Sequence, residues 1–231
     1  MAELNAMTNN WMFALAGGII PALLWLWFWL QEDRLHPEPR GRIWLAFWGG
    51  MLAVALVYYP ERYIFNHFGS GNTTYLLWAA IEEVAKLLMA YLLALRSRAF
   101  DEPIDAIEYM ITVALGFAAL ENALFILNPL IDGNLFAGVV TTNMRFIGAS
   151  LLHVVTSGIL GFCIAKEFYD DKISKFLWML LGLAAAVALH TVFNMFIIYE
   201  NGEKTFLVFA CVWAAVIVIL LLFEKIKKLK Q

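Results

Sequence analysis

Apolar runs long enough to cross a lipid bilayer recur along nearly the whole chain, and no other feature narrows its choice of fold so far. The hydrocarbon core of a bilayer is about 30 Å thick, so a helix needs about 20 mostly apolar residues to span it. Seven stretches meet that measure: 11–30, 43–59, 74–95, 106–127, 145–166, 176–198 and 205–223. Backbone polar groups in lipid must be satisfied within each segment, which predicts an all-α, polytopic membrane protein of about seven helices. Pro21 is expected to kink the first span. That span is read as retained in the membrane, because the residues before it carry no Lys or Arg, as a cleaved signal would. The stretch 128–144 leaves two readings open, a short extra helix or a fifth span that begins earlier.

Composition agrees with a multi-pass protein of the cell membrane. Of 231 residues, 62% are apolar and 15% charged, with a net charge of −3. Soluble domains carry about 25% charged residues. Disordered chains and basic nucleic-acid-binding surfaces are excluded, so the expected partners are the lipid bilayer and membrane proteins, with no nucleic acid. Cys163 and Cys211 lie in apolar runs and read as buried, inert thiols. No repeat or linker interrupts the chain, so 1–231 is expected to be a single transmembrane domain.

Basic residues predict the direction of insertion. Arg34, Arg40 and Arg42, then Arg96 and Arg98, then Lys166, Lys172 and Lys175, and finally Lys225, Lys227, Lys228 and Lys230 place twelve basic residues on one side, against Arg62 and Lys204 on the other. The expected orientation is N-terminus out and C-terminus in.

Few charges remain for the spans themselves. Glu82, Glu83 and Lys86 fall in the third, Glu121 in the fourth, His153 in the fifth and His190 in the sixth. Burying the four charged groups unpaired costs on the order of 10 kcal/mol, comparable with the whole stability of a domain. They must therefore pair or face water. At about 1.5 Å of rise per residue, Glu82, Glu121, His153 and His190 stand about 20, 22, 20 and 21 Å from the predicted inner ends of their helices, a common level.

Spacing along each helix sharpens the picture. Lys86 is within reach of Glu82 at i+4 and Glu83 at i+3. Such a cation can hold one carboxylate ionised while its neighbour keeps a proton, an arrangement suited to general-base chemistry. His190 and Asn194 project from one face of the sixth span and form a candidate oxyanion-binding pair. Ser150, His153 and Ser157 form one polar stripe, Gly116 and Ala119 permit close helix approach, and Arg145 reads as an anchor at the outer interface.

The segments Glu82-Glu83-Val84-Ala85-Lys86, Phe117-Ala118-Ala119-Leu120-Glu121 and His190-Thr191-Val192-Phe193-Asn194 read as EExxK, FxxxE and HxxxN. In this order on successive helices they resemble the PrsW family of intramembrane proteases, itself similar to the CAAX-prenyl endopeptidase and bacteriocin-processing group. The resemblance covers a motif-bearing core of roughly 74–198. It implies an intramembrane endopeptidase in which Glu82 activates water, Glu83 and Lys86 tune it, His190 and Asn194 stabilise the oxyanion, and Glu121 with His153 completes the water site or shuttles a proton. The implied substrate is a single-span, anti-sigma-factor-like membrane protein.

No HExxH motif is present and no Asp lies deep in a span, which sets aside two other intramembrane protease chemistries. A Ser–His mechanism would leave three buried glutamates unexplained. Glu82, Glu121, His153 and His190 form a candidate ligand set for a divalent ion such as zinc. The nearby Lys86 cation weighs against it, so the favoured expectation is a glutamic-type protease with no cofactor. A proton-coupled transporter would also place Glu and His at mid-depth, but the inverted repeats common in transporters are missing. A non-catalytic scaffold is the other alternative.

Overall fold

The computed structural model describes residues 2–34, 36–199 and 204–229. Its helices are α1 (Ala2–Trp29), α2 (Arg40–Phe68), α3 (Asn72–Ala90), α4 (Pro103–Ile131), α5 (Leu135–Met144), α6 (Ser150–Lys166), α7 (Lys172–Asn194) and α8 (Thr205–Ile226). Short π-helical turns follow α3, link α5 to α6 and follow α7. Six helical segments are long and apolar enough to cross a membrane. The helix α3 stands apart from those six because Glu82, Glu83 and Lys86 interrupt its apolar character. The chain is thus an all-α, multi-pass protein of the cell membrane.

Two sequence boundaries move. Residues Leu135–Lys166 form one continuous helix through the π turn, so the fifth span begins earlier than 145. Helix α2 runs on through Pro60 to Phe68, nine residues past the predicted end of the second span. Helix α1 likewise continues through Pro21. Cys163 is buried as expected, whereas Cys211 is exposed on an outward face of α8, where neighbouring apolar side chains such as Leu207 also point. Lys230 lies outside the described residues.

The bundle is organised around α4, which packs against α1, α2 and α6. Every residue from Pro103 to Ala119 is buried, the behaviour of a helix apolar on all faces. Close approach to α2 rests on glycine at the crossing. A Cβ on Gly116 would overlap the Phe47 carbonyl oxygen, and one on Gly50 would overlap that of Val113. Between apolar helices in lipid, such backbone contact replaces the hydrophobic drive available in water. Outward faces of the peripheral helices carry large apolar side chains such as Phe136 and Phe206, suited to lipid.

At one end of the bundle the α1–α2, α3–α4 and α6–α7 connections meet the end of α8. Tyr109 on α4 donates to Glu38 before α2, Arg42 donates to the Leu93 carbonyl (3.0 Å), and Lys227 bonds Glu32 across 2.9 Å. Burial raises the Glu38 carboxyl to about 8; Asp105 and Asp101 push it the same way and the Tyr109 hydroxyl opposes them. At the other end, Asn10 donates to the Leu130 carbonyl at 2.9 Å.

Candidate metal centre

Four helices bring the in-span charges together as the common level predicts. Helix α3 supplies Glu82, Glu83 and Lys86, all buried, because residues 82, 83 and 86 fall within one turn and a third. Helix α6 supplies His153, and α7 supplies His190, both 2% exposed. Glu121 reaches in from α4 at the edge of the group.

One ion pair anchors the cluster. Lys86 Nζ lies 2.6 Å from Glu83 Oε1, and both side chains are fully buried. The same oxygen accepts from His190 Nδ1 at 2.8 Å and from Thr156 Oγ1 at 3.1 Å. A carboxylate can only accept, so His190 carries its proton on Nδ1 and turns the Nε2 lone pair away from Glu83. That Nε2 faces Glu82 Oε2 at 3.7 Å. The fit of Lys86 is completed by the Phe117 ring, whose centroid is 5.1 Å from Nζ.

His153 is held from both sides. Lys86 Nζ donates to its Nδ1 at 3.1 Å, and its Nε2 donates to Glu121 Oε2 at 3.1 Å. Its ring stands edge-on to that of His190, 5.2 Å between centroids, and packs on Phe117 at 5.4 Å. Glu121 also forms an ion pair with Arg145, whose guanidinium lies over the Phe125 ring at 4.0 Å. Arg145 therefore turns inward to Glu121 and Asn122 rather than standing at the interface as an anchor.

Glu82, His153 and His190 each direct a potential ligand atom into one space, all within 4.8 Å of one another. Glu82 Oε2 is buried and has no hydrogen-bond partner. A buried carboxylate oxygen without a donor costs roughly 1–3 kcal/mol or more, which a cation beside the two imidazoles, or a proton shared with the neighbouring Glu61 carboxyl of α2, would offset. Mixed imidazole and carboxylate donors are what zinc and similar divalent ions take. Glu121, the fourth residue of the expected ligand set, instead neutralises Arg145 and orients His153.

The remaining candidates separate clearly. Ser150 accepts from Asn122 at 2.9 Å, and Ser157 Oγ is buried without a partner, so no Ser–His pair forms. Asn194 is half-buried one turn beyond His190 and makes no hydrogen bond within the cluster. Sequence reasoning misses Glu61, on the part of α2 beyond the predicted span. Its carboxyl lies within hydrogen-bonding reach of Glu82, with Oε1 buried and unpartnered, and its backbone carbonyl accepts from Trp78 Nε1 at 2.9 Å. The signal that could have found it is an acidic residue immediately after a span that ends at the outer level of the other glutamates.

Residues 38–222 match the family described as PrsW family intramembrane metalloprotease. The Protease PrsW of Geobacillus kaustophilus (strain HTA426) is 30% identical over 173 residues, covering 72% of this chain and 73% of the relative. The Protease PrsW of Bacillus subtilis (strain 168) is 26% identical, covering 78% and 80% respectively. That of Clostridioides difficile (strain 630) is 27% identical, covering 82% and 80%. No solved structure matches the chain. The family and the geometry together overturn the glutamic-type mechanism favoured on sequence, and they agree with the divalent ion for which the sequence offered a ligand set. Lys86 argues against a metal by its charge alone, but Glu83 offsets that charge at 2.6 Å, while Glu82 joins two histidines in a ligand group.

Proposed function

The chain belongs to the PrsW family of intramembrane metalloproteases, and from that premise we propose that Glu82, His153 and His190 hold one catalytic divalent cation, zinc by donor type. The convergence of these three donors on one space, with Glu82 Oε2 partnerless, carries this reading. When bound, the metal supplies Lewis-acid polarisation of the scissile carbonyl and a water acidic enough to attack at neutral pH.

The surrounding residues act on those ligands. Glu83 accepts the hydrogen bond from His190 Nδ1–H and so fixes its tautomer, in the manner of carboxylate–histidine pairs at metal sites. Lys86 and Thr156 keep Glu83 in place. Glu121, paired with Arg145, orients His153. Asn194 is the amide that meets the substrate carbonyl, since its side chain lies on the His190 face and is not engaged elsewhere in the cluster. Burial of the whole group between helices excludes bulk water and strengthens each of these contacts.

Substrates are membrane-anchored proteins with a single span, of the anti-sigma-factor-like kind that the resemblance implies. The N-terminus faces out and the C-terminus in, an orientation supported by the twelve-to-two bias of basic residues. Residues 1–231 work as one domain around the motif-bearing core 74–198. The test is cleavage of single-span substrates by purified protein after chelation and zinc return. Chelation is expected to abolish cleavage and zinc to restore it in the wild type, with Glu82→Gln inactive throughout. Cleavage that persists in fully chelated protein would overturn the proposal.

A further inference from the structure

Helices α3 and α7 meet at one end of their pairing and part at the other. Near the peptidase cluster they are joined through Glu83 and His190 at 2.8 Å. Toward the basic end of the bundle they separate around a groove with a cavity volume of about 810 Å³. That volume lies within the about 300–1,000 Å³ of sites that take a small molecule. Val84 and Leu88 of α3, with Tyr91 and Leu95 of the π turn that follows, form one wall. Phe176 and Met179 of α7 form the other. Leu88, Tyr91 and Phe176 are exposed, so the groove opens outward along its length.

The walls are built into the fold. The π turn Tyr91–Leu95 packs against α2 and α4, whereas α7 lies on α6, and the two walls are held apart. Such turns are rare in helices and gather at functional sites. Phe100, before α4, and Phe168, after α6, close the floor edge to face, with ring centroids 5.0 Å apart.

The mouth of this apolar groove is cationic. Lys172 and Lys175, in the first turn of α7, line it and are exposed. Among the described residues, neither forms an ion pair. The acidic side chains beside them are engaged elsewhere. Asp171 accepts from the Ile173 and Ser174 backbone N–H groups at 2.8 and 3.1 Å, Glu167 accepts from Ser174 Oγ at 2.9 Å, and Asp170 is hydrogen-bonded to Glu167. The two ammonium groups stand at the positive end of the α7 dipole, a position that favours an anion.

Length narrows the choice of occupant. From Val84 to Leu95 is eleven positions, or about 16 Å along the axis. One leaflet of a hydrocarbon core about 30 Å thick is about 15 Å deep. The groove therefore has the depth of one acyl chain, whereas a crossing helix needs the full thickness, and the Glu83–His190 contact closes the way beyond. We propose that the groove binds one anionic phospholipid, with an acyl chain between the α3 and α7 walls and the phosphate between Lys172 and Lys175. On the orientation proposed above, this lipid comes from the inner leaflet. Val84 adjoins Glu83, so the end of the chain rests on the turn of α3 that carries the peptidase cluster.

The test uses the full chain, purified in detergent and stripped of lipid. It is titrated with phosphatidylglycerol, and separately with phosphatidylcholine of the same acyl chains, and read by native mass spectrometry. One phosphatidylglycerol per chain is expected, held about tenfold or more tighter than phosphatidylcholine. Replacing both exposed lysines, Lys172→Gln with Lys175→Gln, should abolish that preference. Leu88→Trp fills the groove from an exposed position and should weaken the binding of both lipids. Glu82→Gln should bind lipid as the wild type does, which separates the result from the peptidase proposal. Equal affinity of the wild type for the two lipids would overturn the inference. A preference that survives the double lysine variant, or binding unaltered by Leu88→Trp, would do the same. A photo-crosslinking side chain at Met179 is expected to capture the lipid. Capture of a single-span substrate in its place would assign the groove to protein and overturn the inference equally.

Discussion

Lys86→Met removes one charge from the centre of the bundle while nearly preserving side-chain volume. In the wild type, Nζ sits 2.6 Å from Glu83 Oε1 and 3.1 Å from His153 Nδ1, with no exposure of either charged side chain. Deleting one member of a buried pair costs about 3–5 kcal/mol, because the other charge remains desolvated and uncompensated. The hydrogen bond to His153 adds about 1 kcal/mol. The sum, about 4–6 kcal/mol, approaches the full stability of a typical domain. The cost depends on Glu83 keeping its charge. Adding Glu83→Gln in the same chain should therefore recover more than half of the loss, since a glutamine still accepts from Thr156 and His190. The assay is reversible unfolding in mixed micelles, followed by the fluorescence of the 9 tryptophans, as a double-mutant cycle. A loss below about 1 kcal/mol for Lys86→Met, the size of a solvated surface pair, would refute the buried-pair reasoning. Failure of Glu83→Gln to rescue would refute it as well.

Two further outcomes follow from the packing and from the outer edge of the site. Gly116→Ala should destabilise by about 1–3 kcal/mol despite the better helix propensity of alanine, because its methyl meets the Phe47 carbonyl oxygen. Gly41→Ala, with nothing within 4 Å, is the control and should be neutral or stabilising in the same thermal melt. Arg145→Gln leaves Glu121 without its cation and loosens His153, so zinc affinity measured by chelator competition should fall about 10–100-fold.

Much of the site is legible in the sequence because helical geometry is so regular. Glu82, Glu83 and Lys86 have to share a face, and antiparallel spans have to bring Glu121, His153 and His190 to the same level. What spacing leaves open is side-chain direction. Lys86 is within reach of both glutamates, and spacing alone does not tell which one it neutralises; that it is Glu83 frees Glu82 to join the histidines. Arg145 reads as an interface anchor because hydropathy starts the fifth span there, whereas the helix begins ten residues earlier and carries Arg145 into the bundle. Glu61 is missed because the apolar run of the second span ends at 59, whereas α2 continues through Pro60 to Phe68. The groove between α3 and α7 is invisible in the sequence for another reason. Its walls come from separate helices, and only their divergence around the π turn opens it.

Everything in the proposed chemistry depends on one divalent cation sitting between Glu82, His153 and His190. Metal analysis of the purified protein, wild type beside Glu82→Gln, His153→Ala and His190→Ala, reads its presence without any intermediate inference. About one zinc per folded wild-type chain is expected, and its loss in each variant, with the variants retaining helical content. Folded wild-type protein that cleaves its substrate with no bound divalent metal would contradict the assignment, as would zinc retained when all three residues are replaced together.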